Sequence, residues 1–128
     1  MQDNNQLIKD FYDSFKLKNE NYLNYCHENI VWITMNGMPN GGTYFGVNSV
    51  FNEYFPKMLS NFKVFHADPK EFLTIDNRVI VFGSYVGKSK QDTSFEIPFC
   101  HVYQIIGDKI SQFRQFTDTA LMNEIIKV

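Results

Sequence analysis

Phe99-Cys-His-Val-Tyr-Gln-Ile-Ile-Gly-Asp-Lys-Ile-Ser-Gln-Phe-Arg-Gln-Phe-Thr-Asp118 decides how the rest of the chain is read. Two runs rich in β-branched and aromatic residues flank Gly107-Asp108, a pair suited to a tight hairpin turn. With that turn, Ile106 faces Lys109. Counting outward without interruption pairs Tyr103 with Gln112, His101 with Arg114 and Phe99 with Phe116. His101, Tyr103, Arg114, Phe116 and Asp118 then share one face. A shift of one residue would separate them, because successive side chains on a strand point to opposite faces. In the uninterrupted register Asp118 lies about 13 Å along the strand from Arg114, so His101 and Asp118 would approach a ligand from two sides and would not bond each other.

Working outward, Phe62–Ala67, Glu71–Ile75 and Arg78–Gly87 read as further strands, with Asp68-Pro69 marking a bulge or bend in one long strand and Asp76-Asn77 a turn. Upstream, Ile8, Phe11, Tyr12 and Phe15 recur at helical spacing. A second short helix is expected around Tyr22, Leu23 and Cys26. Ile30–Met35 is a short apolar strand holding the single Trp. The segment Asn36–Gly46 is a glycine-rich loop. Val47, Val50, Phe51, Tyr54, Phe55, Met58 and Leu59 form a third helical stripe, which Pro56 should kink or shorten. Ala120, Leu121, Ile125 and Ile126 suit a closing helix or tail. The expectation is one α+β domain over residues 1–128, with three N-terminal helices covering one side of a cone-shaped, curved antiparallel sheet. A cone has an interior, and ligands usually occupy such interiors.

Composition narrows the function. A formal charge of -2 from 12 basic and 14 acidic residues, scattered in both signs, offers no footprint for nucleic acid or for an anionic membrane. No run approaches the ~20 apolar residues of a membrane span, and no leader pattern opens the chain, so a cytoplasmic protein is expected. The glycines of the loop follow no dinucleotide or phosphate-binding order, and no cofactor is expected. Cys26 and Cys100 are too far apart for a metal-type pair, and His27 and His66 lack companion ligands, so no metal is expected either.

Phe11-Tyr12 on the first helix, the Val31-Trp32-Ile33 strand, Gly42-Thr-Tyr-Phe-Gly46 entering an apolar helix, and Gly107-Asp-Lys-Ile followed by Asp118-x-x-Leu121 together resemble the nuclear transport factor 2-like superfamily. Within it they are similar to the SnoaL-like polyketide cyclase and ketosteroid isomerase-like branch. The resemblance implies the cone fold, a homodimer through the outer sheet face, and an apolar pocket for a small hydrophobic molecule. It also implies acid/base roles for Asp118 and His101 at the positions matching those of SnoaL-like cyclases. Expected lining residues are Tyr12, Phe15, Trp32, Tyr54, Phe55, Met58, Tyr103, Arg114 and Phe116. Asp118 has a second reading, as N-cap of the closing helix. Isomerase chemistry of the ketosteroid type is rejected, since Thr34, Met35 and Asn36 offer no base where that family has a carboxylate. Two functions stay open: acid/base chemistry of isomerase, cyclase or hydrolase type on a cyclic or polyketide-like compound, and a non-catalytic dimeric binding module.

Overall fold

The computed structural model describes residues 3–16 and 24–127. Helix α1 is Asn4–Lys16, and it is followed by strands β1 (Cys26–Ile33) and β2 (Thr43–Phe45). A π-helical segment (Asn48–Tyr54) runs into α2 (Phe55–Leu59). Strands β3 (Phe62–Ile75), β4 (Arg78–Ser89), β5 (Ser94–Ile106) and β6 (Lys109–Thr117) form a meander, and α3 (Thr119–Lys127) closes the described chain. One six-stranded sheet has the order β2-β1-β6-β5-β4-β3.

Two expectations are corrected here. Among the described residues, only α1 precedes the sheet. The π/α2 segment follows β2, and the helix expected around Tyr22 and Leu23 falls outside the described residues, while Cys26 opens β1. The sheet is also mixed: β1 joins β6 in parallel, whereas every other pair is antiparallel.

Local chemistry explains the irregularities. Pro56 has no N–H to offer the Asn52 carbonyl and its ring would crowd that group. Just ahead of it the helix is widened to π geometry, with the Phe55 amide donating to the Val50 carbonyl. The stripe survives, since Val50, Tyr54 and Met58 are all buried. In β3 the register shifts between Pro69 and Glu71, the bulge expected at Asp68-Pro69. Gly83 faces Pro69 there, and a Cβ on Gly83 would stand 2.3 Å from the Asp68 carbonyl oxygen and 2.8 Å from the Phe99 ring. Only glycine permits that approach. Along β5, Phe95, Ile97, Phe99, His101, Tyr103 and Ile105 are all buried, alternating with more exposed residues. That inner face, the buried side of α1 and the π/α2 stripe form one core.

Candidate functional site

The hairpin turn is as expected, with Ile106 opposite Lys109 and Ile105 opposite Ile110. Beyond it Gln104 pairs with Gln112, leaving Ser111 as an extra residue in β6 whose hydroxyl donates to the Gln104 carbonyl at 3.1 Å. This bulge moves the register by one. His101 therefore faces Gln115, not Arg114; Tyr103 faces Phe113, not Gln112; Phe99 faces Thr117, not Phe116. Phe113 and Gln115 turn inward and are buried, while Arg114 and Phe116 lie on the exposed outer face.

The inward side chains converge on a cavity of about 380 Å³. Tyr12, Phe15, Trp32, Tyr54, Phe55, Met58, His101 and Tyr103 line it, joined by Phe113, Tyr85 and Gln115. Arg114 and Phe116 border a second, more open hollow beside Thr34 and Asn36, with Gln115 in the wall between the two. Asp118 lines neither. Its side chain is exposed, and one carboxylate oxygen accepts from the Leu121 amide at 3.0 Å, the N-cap of α3. The shared face expected for His101 and Asp118 is thus replaced by two separate environments.

His101 is 3 % exposed and both of its ring nitrogens are engaged. Nδ1 lies 2.6 Å from the Tyr12 hydroxyl and Nε2 lies 2.6 Å from the Tyr85 hydroxyl. The Gln115 amide nitrogen donates to the Tyr85 oxygen, also at 2.6 Å. Tyr12 reaches this row from α1, Tyr85 from β4 and Gln115 from β6. On one side the Phe99 ring stacks flat on the imidazole, where the missing Cβ of Gly83 leaves it room.

Burial holds His101 well below the ordinary imidazole range, because removing a cation from water costs more than the phenols return. Burial likewise pushes the phenols of Tyr12, Tyr85 and Tyr103 well up, so all three stay protonated. Tyr103 packs edge-on against Tyr12, ring centroids 6.0 Å apart, and this proximity further retains the Tyr12 proton while easing ionisation of Tyr103. The result is a neutral row, Gln115–Tyr85–His101–Tyr12, with Tyr103 packed beside it, set in aromatic walls. Such a row can accept or deliver a proton with little charge separation. No carboxylate is among the lining residues, and no cluster of three His, Cys, Asp or Glu suited to a metal occurs among the described residues.

No protein-family model matches this sequence, and no curated protein is significantly similar to it. Solved structures are similar over the whole chain. An NTF2-like protein of unknown function from Burkholderia pseudomallei is 23 % identical, with 100 % of each chain covered and a TM-score of 0.90. A protein named TerC, co-crystallised with polyporic acid, is 25 % identical over 98 % of each chain, with a TM-score of 0.91. A protein described as a SnoaL-like polyketide cyclase, from Jannaschia sp. CCS1, is 11 % identical over 100 % of this chain and 99 % of its own, with a TM-score of 0.83. The likeness in fold thus runs the length of the chain, which has the fold seen in NTF2-like proteins and in the SnoaL-like one.

Proposed function

We propose that this chain binds a flat, largely apolar cyclic or polyketide-like molecule in the aromatic cavity and performs acid/base chemistry on it through His101. One observation carries the reading: a neutral, fully buried imidazole held at both nitrogens by phenols, at the wall of a cavity of about 380 Å³, which is within the usual size range for small-molecule sites. A neutral imidazole can pass a proton along the row near neutral pH, gaining one at one ring nitrogen as it gives one up at the other, and Tyr12 would relay it between ring and ligand. Two neighbours in fold lend support, the protein co-crystallised with polyporic acid and the SnoaL-like cyclase. Asp118 is left out of the chemistry because its carboxylate is spent on α3.

A second reading, binding without reaction, is favoured by the lack of a lining carboxylate and by the prior engagement of both His101 nitrogens. The two separate in one experiment. Planar polycyclic and polyketide-like compounds, polyporic acid among them, are titrated against the protein while Trp32 fluorescence and melting temperature are followed. Trp32 is the only tryptophan and lines the cavity, and saturation at a hundred times Kd should stabilise by about 2.7 kcal/mol. Binding with turnover that His101→Phe abolishes supports the enzyme; binding with no turnover supports the module. If none of the compounds shifts either signal, both readings fail.

The outer sheet face fits a second copy of the chain. Phe82, Cys100 and Phe116 stand in one cross-strand row, and Phe82 and Phe116 are each 43 % exposed. A two-fold axis through this row would cover apolar surface that water otherwise wets.

A further inference from the structure

Gln115 is buried, and its Oε1 has no hydrogen-bond partner among the described residues, although its Nε2 donates to Tyr85. A neutral imidazole has one N–H and one bare nitrogen, and its hydrogen-bond partners decide which is which. The Tyr85 oxygen is shared by the Gln115 amide and His101 Nε2. If it accepted from both, its own proton would lack an acceptor. With Gln115 donating, the arrangement that leaves no buried proton unpaired has Tyr85 O–H donating to Nε2, Nδ1–H donating to the Tyr12 oxygen, and Tyr12 O–H turned toward the cavity that Tyr12 lines. Turning the Gln115 amide over would reverse every step, at almost no change in shape.

From this geometry we infer that Gln115 is a positioning residue: through Tyr85 it fixes His101 as the Nδ1–H tautomer, and it thereby makes the Tyr12 end of the row a hydrogen-bond donor toward the cavity. The ligand that fits such an end carries an acceptor oxygen there, a carbonyl or an enolate. This second half rests on the small-molecule reading above, whereas the first half concerns the free protein alone.

The test has two arms. In the first, long-range ¹H–¹⁵N spectra of the ligand-free protein read the protonation of each ring nitrogen, with His101 assigned by its loss in His101→Phe. A single Nδ1–H tautomer is expected in the wild type, and Gln115→Leu should lose that single state to a mixture. Tyr85→Phe cuts the link, so adding Gln115→Leu to it should move the His101 signals no further. An Nε2–H wild type overturns the inference without recourse to any variant, as does an unchanged tautomer in a folded Gln115→Leu protein.

In the second arm a planar polycyclic ketone is compared with the hydrocarbon bearing a methylene in its place. The ketone should bind the wild type about tenfold more tightly, and the advantage should shrink toward one in Gln115→Leu. Equal binding of the two by the wild type overturns the donor-end half. Failure of both to bind removes the cavity reading and that half with it, while the spectra still decide the tautomer.

Discussion

The imidazole of His101 lies against the phenyl ring of Phe99, with ring centroids 3.8 Å apart and planes 9° from parallel. Stacking of this closeness seals one side of the imidazole from water and contributes to the burial that lowers its basicity. In the unfolded chain the same ring titrates near 6.5. The unfolded state thus binds one more proton than the folded state between that value and the lower folded one. Stability is full above about pH 6.5 and should fall on acidification, by at most about 1.4 kcal/mol per pH unit, until the folded value is reached. Urea denaturation from pH 7.5 to 5, compared with His101→Phe, checks this: the variant should lose that part of the slope.

Removing single hydroxyls from the row should have unequal costs. Tyr12→Phe strands Nδ1 alone. Tyr85→Phe strands Nε2 and also the Gln115 amide. Each buried group left unpaired costs about 1–3 kcal/mol, so Tyr85→Phe is expected to be the more destabilising of the two in equilibrium unfolding.

Asp118→Ala removes a helix cap and nothing that faces the cavity. The expected loss is about 1 kcal/mol of stability, with ligand affinity, once a ligand is in hand, unchanged within error. A large fall in affinity or turnover in the variant would restore Asp118 to the chemistry.

Gly83→Ala forces a methyl against the Asp68 carbonyl and the Phe99 ring. Overpacking of this kind costs about 1–3 kcal/mol, and because Phe99 is displaced, the His101 resonances should shift as well. A variant as stable as the wild type, with His101 unmoved, would mean that the β3 bulge relaxes freely.

Phe82→Glu places a charge at the β4 end of the outer row. If a second copy covers that row, light scattering should show the wild type at twice the mass of the variant, with the variant still folded. Equal masses would dissociate this face from self-association.

Much of the fold was legible from periodicity and turn chemistry. The strands of the meander, the turn at Gly107-Asp108 and the bulge beside Pro69 follow from residues whose backbone demands are strong. The parallel pairing of β1 with β6 was not legible, because no local signal links segments so far apart in sequence. The site was half legible: Tyr12, Trp32, Tyr54, Met58, His101 and Tyr103 sit on apolar stripes, and those stripes point inward. Gln115 and Phe113 were hidden by one residue. Ser111 is small, polar and β-compatible, so nothing local marks it as the extra member of a bulge, yet it turns Arg114 and Phe116 outward and brings Gln115 in. Tyr85 carries no local sign beyond membership of a strand, since its partners come from three other elements.

The adjacency of β1 and β6 also imposes an order in time. The hairpins β3–β4, β4–β5 and β5–β6 need only neighbouring stretches of chain, whereas Trp32 meets Phe113, ring centroids 3.8 Å apart, only after the last strand exists. Joining segments this distant is slow relative to closing hairpins. The meander should therefore assemble first and stand for a while with its central strand edge bare, and the step that docks β1 would set the pace of folding. That interval is the moment at which the protein is most exposed to a wrong partner.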